Sequence, residues 1–216
     1  MYVGRIVAVG RNPEGRAAVL YRVSSRSFPN RMARVADNHA VIVPLPGHEG
    51  DMERNPYIAY RCLRVVNGPG GACVAVATNG SHTDPIAEKV AVGVPIRDAL
   101  AAVLLALDYE KDEYHTPRIA AVVEAGAESG FLGVIRDDGL EVREMPIPPG
   151  RVFYLATYEI STIDPARGDA FPATTAAEGA RYALNGGAFA GLTMPVTAVC
   201  ALAAEGGFEL AACAAP

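Results

Sequence analysis

The chain has 216 residues, of which half are hydrophobic and a fifth are charged, and it carries a formal net charge of −5. These values predict a folded globular protein with a single domain over residues 1–216, and they exclude an intrinsically disordered chain. The mild acidity argues against a nucleic-acid-binding protein, which presents a basic face. A local cluster of cations could still bind a small anion.

The sequence predicts a cytoplasmic protein that has no membrane partner. Its longest apolar run, Ala99 to Leu107, is too short to span a bilayer. The opening stretch "MYVGRIVAVG" carries Arg5 among its apolar residues and has no cleavage pattern of a signal peptide. The four cysteines lack CxxC spacing, which favours buried thiols in a reducing compartment over a disulfide or a metal site.

The first part of the chain is predicted to form strands and then two helices. Apolar runs bounded by turn residues predict strands at 2–9, 17–24, 40–45, 57–66 and 72–78. The first helix opens at Asp84, with proline at its first position, and stops at Gly93. The second runs from about Pro95 to about Tyr109 and carries leucines on one face.

The second part of the chain returns to strands. The predicted elements are strands at 117–124, 131–135, 140–145 and 151–157, a helix at about 175–185, and a last hairpin at 196–203 and 207–213. Runs of strands separated by a helical pair predict an α+β fold, with helices outside two packed antiparallel sheets. The GxGxxG and GxxxxGK(S/T) motifs are absent, which argues against the common dinucleotide-binding and P-loop folds.

The first hairpin places two arginines on apolar strand faces. A loop symmetric about Pro13 and Glu14 would set Arg5 directly opposite Arg22. Like charges in such a pair are destabilising, and guanidinium groups on apolar faces need a partner. An anion or a carboxylate between them would supply one; alternatively, one arginine extends over the edge of the sheet.

The segment "YRVSSRSFPNR", from Tyr21 to Arg31, favours the anion. It adds Arg26 and Arg31 from the loop after the second strand, together with three serine hydroxyls. Guanidinium groups and hydroxyls are common ligands of phosphate.

In "RNPYIAY", a turn leads into a strand. Asn55 before Pro56 fits the turn, which is a purely structural role. Tyr57 lies at the mouth of the strand, where a phenol can donate a proton or accept a hydrogen bond, although a single tyrosine there also fits a simple rim position.

The segment "TNGSHTD" joins a strand to the first long helix. Its Asn-Gly pair supplies a turn and Asp84 caps the helix. Asn79, Ser81, His82 and Thr83 remain as neutral donors and acceptors near a helix N-terminus. Such groups suit an amide or a developing oxyanion.

The most charged segment, "LDYEKDEYHTPR", follows an apolar helix. It is either a solvated face or a source of acid–base groups. A carboxylate of Asp108 or Glu110 held near the buried helix would have a raised pKa and could exchange protons near neutral pH. Lys111 and Arg118 could instead pair with it and lower that pKa.

The sequence lacks the motifs of metal and nucleophile enzymes. Its four histidines show neither HxxxH nor HExxH spacing, and no GxSxG motif is present. An N-terminal nucleophile would need Ser, Thr or Cys, whereas the chain starts with Met1 and Tyr2. We expect neither a metal nor an organic cofactor.

Five segments of the chain resemble those of a known family and follow one another in the same order as in that family. "YVGRIVAVGRN", "YRVSSRSFPNR", "RNPYIAYRC", "TNGSHTD" and "LALDYEKDEYHTPRIAA" resemble the archaeal type of IMP cyclohydrolase, closely over about residues 1–125 and more loosely through "TYE" to the end. The resemblance implies a four-layer αββα sandwich like that of the N-terminal-nucleophile hydrolases, used without their nucleophile. It also implies that formyl-aminoimidazole carboxamide ribonucleotide (FAICAR) closes its ring to IMP and releases water.

The resemblance assigns roles to the polar segments. The cluster of arginines and serines is expected to hold the 5′-phosphate or the ribose. The expected substrate contacts are Arg5, Arg22, Ser24, Ser25, Arg26, Arg31, Asn55, Asn79, Ser81, His82, Asp84 and Arg118.

The reaction needs a base for the carboxamide nitrogen and an acid for the departing oxygen. Glu110 and Tyr57 are the expected pair, with Tyr109 as the substitute phenol. Asn79, Ser81 or Lys111 could stabilise the oxyanion. Two alternatives stay open, a non-catalytic purine-nucleotide-binding protein on the same fold and an amide hydrolase with a processed N-terminus, as does association of the chain into a homo-oligomer.

Overall fold

The structure is a computed structural model that describes residues 1–216. It contains thirteen strands in two antiparallel sheets. The strands are β1 (Arg5–Arg11), β2 (Ala17–Ser24), β3 (Arg31–Ala36), β4 (His39–Pro44), β5 (Tyr60–Asn67), β6 (Cys73–Thr78), β7 (Arg118–Glu124), β8 (Ser129–Arg136), β9 (Gly139–Pro146), β10 (Arg151–Ala156), β11 (Gly168–Ala170), β12 (Pro195–Ala204) and β13 (Gly207–Ala214).

Four helices accompany the sheets. They are α1 (Asp51–Arg54), α2 (Thr83–Ala91), α3 (Ile96–Leu107) and α4 (Ala176–Asn185), with short 3₁₀ turns at Pro56–Ile58, Pro69–Gly71 and Gly187–Phe189. One sheet has the order β11-β10-β1-β2-β12-β13, and the other runs from β3 to β9 in sequence order. None of the helices is long and apolar enough to cross a membrane.

Three apolar cores hold four layers together. The largest contains 26 buried residues and lies between the sheets, where Val7 and Tyr21 of one sheet meet Leu63 and Val123 of the other. A second core joins the six-stranded sheet to α4, and a third joins the seven-stranded sheet to α2 and α3. The predicted α+β architecture of two packed sheets with outer helices is therefore confirmed.

Both faces of the middle strands are buried. In β1, Val7 and Val9 enter the core between the sheets, whereas Ile6 and Ala8 enter the core under α4. Since successive side chains alternate between faces, Arg5 shares the inner face with Val7. An apolar strand buried on both faces shows no polar alternation, which explains the continuous apolar runs of the sequence.

The predicted pairing of Arg5 with Arg22 is wrong. Arg5 lies opposite Val23, because an odd number of residues separates the last paired positions, Arg11 and Ala17. The shift of one position puts Arg5 and Arg22 on opposite faces of the sheet. The two guanidinium groups therefore do not share a site.

Several elements differ from those predicted. Strands β3 and β11 and helix α1 were not expected, and the strand predicted at 57–66 begins at Tyr60. The side chain of Asn55 accepts a hydrogen bond from the backbone N–H of Tyr57, which starts a 3₁₀ turn in place of the first strand residues. Strand β3 lies at a sheet edge and is exposed over its last three residues, so its sequence lacks a clear apolar alternation.

We expect Gly179→Ala to lower the free energy of unfolding by about 1–3 kcal/mol through overpacking. A Cβ at this position of α4 would lie 2.5 Å from Sγ of Cys200 on β12. Gly191→Ala is the control, since nothing lies within 4 Å of its Cβ. Urea denaturation compares the two, and equal stability of both variants would contradict the close helix–sheet packing.

Candidate active site

A cleft opens at one end of the sheet sandwich. Strands β1, β3 and β5 begin there, and β2 and β10 end there, because neighbouring antiparallel strands alternate in direction. The inner cleft has a volume of about 130 Å³. It shares Tyr2, Ser27, Tyr114 and Tyr158 with a wider depression of about 760 Å³, so the two form one opening.

A carboxylate between two guanidinium groups lies on the cleft wall. Oε2 of Glu110 is 3.6 Å from Nη2 of Arg5, and Oε1 is 3.5 Å from Nη1 of Arg118. The Glu110 side chain is only 17% exposed. Burial raises the pKa of Glu110, although the charges of Arg5 and Arg118 act to lower it. A carboxylate whose pKa is raised accepts and returns a proton more readily than an ordinary one.

Two tyrosines meet at the floor of the cleft. The hydroxyls of Tyr60, which lines the cleft, and Tyr21, which is fully buried, are 2.5 Å apart. Burial raises the pKa of Tyr60, whereas the charges of Arg31 and Arg5 act to lower it. Burial acts to lower the pKa of Arg5. Its interactions with neighbouring groups, Tyr60 and Glu110 first among them, raise this pKa overall.

Tyr60 was missed by the sequence reasoning. It lies inside the segment "RNPYIAYRC", where a strand predicted to begin at residue 57 placed Tyr57 rather than Tyr60 at the strand mouth. Tyr57 and Tyr60 both line the cleft, but the 3₁₀ turn leaves Tyr57 76% exposed at its rim, whereas Tyr60 contacts the buried Tyr21. The alternation of β5, which puts Tyr60 and Cys62 on one face, could have indicated it.

The loop after β2 supplies cations and hydroxyls. Arg31 is 6% exposed, and its Nε and Nη1 donate to the carbonyls of Phe28 and Ile58, which leaves Nη2 without a protein acceptor. Ser25 and Ser27 also line the cleft. At the outer opening, the guanidinium carbon of Arg26 lies 4.2 Å from the centre of the Tyr2 ring. These groups make this side of the cleft suitable for an anion.

Another tyrosine, Tyr158, lines the cleft and contacts the loop that carries Glu110. The hydroxyl of Tyr158 is 2.7 Å from Oγ1 of Thr116, which donates to Asp112 at 2.7 Å. Asp112 and Tyr158 line the cleft with Glu110. Tyr158 was not a candidate from sequence, because nothing local in "TYE" shows that it packs against the loop after α3, and Asp112 was not singled out within the charged segment "LDYEKDEYHTPR".

Comparison of the sequence with known proteins identifies one family over almost the whole chain. A family model described as IMP cyclohydrolase-like protein matches residues 2–207. The IMP cyclohydrolase of Methanococcus maripaludis strain C6 is 43% identical over 211 residues, which is 98% of this chain and 99% of the relative. That of Methanocella arvoryzae is 51% identical over 160 residues, which is 74% of this chain and 75% of the relative.

The chain belongs to the IMP cyclohydrolase-like family. The IMP cyclohydrolase of Methanosphaera stadtmanae, 43% identical over 93% of this chain and 94% of its own length, gives the same result. The family resemblance inferred from the five polar segments is therefore confirmed.

In this cyclohydrolase-like chain, Arg22 and Ser24 lie outside the cleft. Arg22 is 1% exposed on the outer face of β2, where it donates to the carbonyls of Phe189 and Leu192 and to Oγ of Ser24. Burial lowers the pKa of Arg22 to about 10. Both residues were expected to bind substrate, but the structure uses their polar atoms to hold the loop after α4.

The segment 79–84 is a scaffold behind Glu110. Both ends of the Asn79 amide are used, one donating to the carbonyl of Pro117 and the other accepting from the N–H of Ile119. A Cβ on Gly80 would lie 3.1 Å from Nη1 of Arg118 and 3.5 Å from Oε1 of Glu110. The segment therefore packs against the ion pairs from behind and does not line the cleft.

The other residues of this segment also point away from the cleft. His82 is fully buried, with Nε2 3.0 Å from the carbonyl of Ile119 and no partner at Nδ1. Asp84 forms ion pairs with Arg61 and Arg64 on the outer side of β5. Ser81 is exposed and does not line the cleft. The structure therefore places Asn79, Ser81, His82 and Asp84, which were expected to contact substrate, outside the residues that line the cleft.

Three expected catalytic or binding side chains lie behind or beside the cleft. The ammonium of Lys111 sits 3.5 Å from the centre of the Tyr109 ring and pairs with Asp108, and neither Lys111 nor Tyr109 lines the cleft. Nε of Arg118 donates to the carbonyl of Asp108 at 2.8 Å, so Arg118 holds the loop and Glu110. Of the expected contacts, Arg5, Ser25, Arg31 and Asn55 do line the inner cleft.

The protein has no group of three or more His, Cys, Asp or Glu side chains placed to hold a metal ion. Its four cysteines are free thiols. Burial raises the pKa of Cys62 and of Cys200 well above the ordinary value, so neither thiol is a ready metal ligand or nucleophile.

We expect the imidazole of His82 to stay neutral in the folded protein, because burial lowers its pKa to about 3. In ¹⁵N NMR spectra from about pH 8 to about pH 5, where an ordinary histidine titrates, its two ring nitrogens should keep the shifts of one neutral tautomer. The protonated nitrogen should be Nε2, which faces the carbonyl of Ile119. Titration near the ordinary value would contradict the buried scaffold role.

Proposed function

We propose that this chain closes the ring of FAICAR to form IMP and releases water, the last step of purine synthesis, in the cytoplasm. The main observation that supports this proposal is the half-buried carboxylate of Glu110, which lies between Arg5 and Arg118 on the wall of a cleft in a chain of this family.

The phosphate of the ribonucleotide fits the cationic side of the cleft. Arg31 has a free guanidinium nitrogen, and Ser25 and Ser27 lie beside it, with Arg26 at the outer opening. Guanidinium groups and hydroxyls bind phosphate through charge-assisted hydrogen bonds. The chain as a whole is acidic, so this cluster is a local feature that favours an anion at one place.

Ring closure needs orientation and a stabilised oxyanion. The carboxamide nitrogen is a weak nucleophile, and holding it against the formyl carbon accelerates an intramolecular attack. Negative charge then develops on the formyl oxygen. Arg5 and the Tyr60 hydroxyl are donors at the cleft floor that suit this charge, and they are held in place before the reaction by Glu110 and Tyr21.

Glu110 is the group that we assign to the carboxamide proton. It accepts this proton as the carbon–nitrogen bond forms and returns it to the departing oxygen, a sequence that its raised pKa favours. The formyl oxygen leaves as water. Over the whole reaction, the carboxamide nitrogen loses one proton and the formamido nitrogen loses one proton. We assign the phenol beside the oxyanion to Tyr60 in place of Tyr57, since Tyr57 is 76% exposed on the rim.

The direct test mixes the purified protein with FAICAR and follows the absorbance of the purine ring against a protein-free control for spontaneous closure. Enzyme-dependent formation of IMP supports the proposal. No acceleration together with tight binding of IMP would identify a nucleotide-binding protein and overturn the catalytic assignment. Cleavage of an amide by a chain with a shortened N-terminus, found by intact mass, would identify the hydrolase alternative.

Glu110→Gln should lower kcat for ring closure by at least about 100-fold, because the amide cannot accept the proton. Affinity for IMP, measured by calorimetry, should change by less than about threefold. The matched control is Glu113→Gln, which removes an exposed carboxylate three positions along the same loop and should leave kcat unchanged. Unchanged turnover in Glu110→Gln would remove Glu110 from the mechanism.

Two arginine variants should distinguish a residue that binds IMP from one that stabilises the fold. Arg31→Met should weaken IMP binding by at least about tenfold through loss of a charge-assisted contact. Arg22→Met should leave IMP binding unchanged but lower the free energy of unfolding by about 2–4 kcal/mol, because it leaves the buried carbonyl of Leu192 unpaired and removes one of the two hydrogen bonds that the carbonyl of Phe189 accepts. Calorimetry and urea denaturation measure both effects, and the reverse result would mean that the two arginines have exchanged roles.

A further inference from the structure

Three side chains form a hydrogen-bonded chain that starts at Tyr158 in the cleft and ends at Asp112, an exposed carboxylate that also lines the cleft. Tyr158 lines the cleft, and its hydroxyl is 2.7 Å from Oγ1 of Thr116, which is fully buried. Oγ1 of Thr116 is in turn 2.7 Å from Oδ2 of Asp112, an exposed residue. The roles assigned to Glu110 and Tyr60 do not use this chain.

The direction of these hydrogen bonds follows from the number of hydrogens. An ionised carboxylate can only accept, so the single hydroxyl hydrogen of Thr116 points to Asp112. The Tyr158 hydroxyl must then donate to Oγ1 of Thr116. The phenol oxygen therefore has no hydrogen left for the cleft and can only accept there.

The surrounding backbone holds this chain in place. The second carboxylate oxygen of Asp112 accepts from the backbone N–H of Thr116 at 2.8 Å. The N–H of Glu110 donates to the carbonyl of Thr116 at 2.8 Å, so the same turn carries Glu110. On the other side, the N–H of Tyr158 donates to the carbonyl of Val3. The acceptor oxygen and the Glu110 carboxylate thus occupy defined positions on one cleft wall.

We propose that Tyr158, Thr116 and Asp112 form a proton relay that carries the formamido proton during ring closure from Tyr158 to the exposed carboxylate of Asp112, which exchanges it with bulk water. This inference rests on the proposed function, which leaves that second nitrogen proton without an acceptor. Tyr158 is the catalytic residue of this relay, since it lines the cleft in which the substrate would react, and Thr116 and Asp112 act through it.

Each proton and electron pair in this proposed step is accounted for. The formyl oxygen leaves as water after it takes up two protons, the one held by Glu110 and one from bulk water. At the same time the formamido N–H bond breaks. Its electron pair forms the ring C=N bond. The proton joins the Tyr158 oxygen, the former phenol proton passes to Oγ1 of Thr116, and the former threonine proton passes to Oδ2 of Asp112. The exposed carboxyl then returns one proton to bulk water.

The charges around Tyr158 fit a neutral phenol that passes protons on. Burial raises the pKa of Tyr158, while the Thr116 hydrogen bond and the charge of Arg5 lower it and the carboxylate of Asp112 and Tyr2 raise it. A phenol in this environment stays protonated at rest. It does not need to become a phenolate, because it gives up its own proton as it accepts another.

The test compares variants in which the relay is broken or kept. Thr116→Val and Tyr158→Phe should each lower kcat for FAICAR closure by about 100-fold, with KM and IMP affinity within about threefold. Thr116→Ser keeps the hydroxyl and should stay within about threefold of the wild-type kcat. The double variant Thr116→Val/Tyr158→Phe should be no slower than either single variant, because both remove the same chain.

Tyr182→Phe is the matched control. Its hydroxyl donates to Asp169 at 2.7 Å in the outer core under α4, far from the cleft, so its loss should leave kcat unchanged. Thermal unfolding checks that each variant is folded. If Thr116→Val does not fold, Tyr158→Phe and Thr116→Ser still decide.

Three results would overturn the relay. They are a wild-type kcat in Tyr158→Phe, a Thr116→Ser variant as slow as Thr116→Val, or rate losses that multiply in the double variant. A purely structural role of the turn would show as lost stability and raised KM in Thr116→Val, without rescue of kcat by serine. An inactive wild-type protein would instead refute the proposed function, which separates the two failures.

Discussion

The pairing of Glu110 with Arg5 and Arg118 is the interaction on which the cleft depends. Each of these side chains is largely removed from water, and a buried charge without a partner would be strongly destabilising. Together they satisfy one another while keeping an excess of positive charge beside a carboxylate whose pKa is raised. A site with both properties can attract an anionic ligand and still exchange a proton with it.

The fold supplies this interaction from three separate parts of the chain. Arg5 begins β1, Glu110 lies in the loop after α3, and Arg118 begins β7. Asn79 ties the start of β7 to the end of β6, and Gly80 leaves room for the pair of Arg118 and Glu110. The neutral polar residues of "TNGSHTD" therefore support the ion pairs from behind, which is a structural use of groups that sequence reasoning expected to meet the substrate.

The arginines of the first hairpin show how a single register decides between roles. With Arg5 opposite Val23, Arg5 enters the cleft and Arg22 anchors the loop after α4 on the other face. A pairing shifted by one residue would place both in one site. Similarly, the 3₁₀ turn at Pro56–Ile58 moves Tyr57 to the rim and leaves Tyr60 at the cleft floor.

The sequence by itself determined the α+β class, the two long helices, most strands and the family, and it picked out Arg5, Arg31 and Glu110, which line the cleft, because apolar periodicity and dense polar segments are local signals. Tertiary structure alone decided which polar groups share the cleft. Tyr60 meets Tyr21, and Tyr158 meets Thr116, across long stretches of sequence. Such meetings depend on strand register and on the packing of distant loops, where one residue of shift turns a side chain from the cleft to the opposite face.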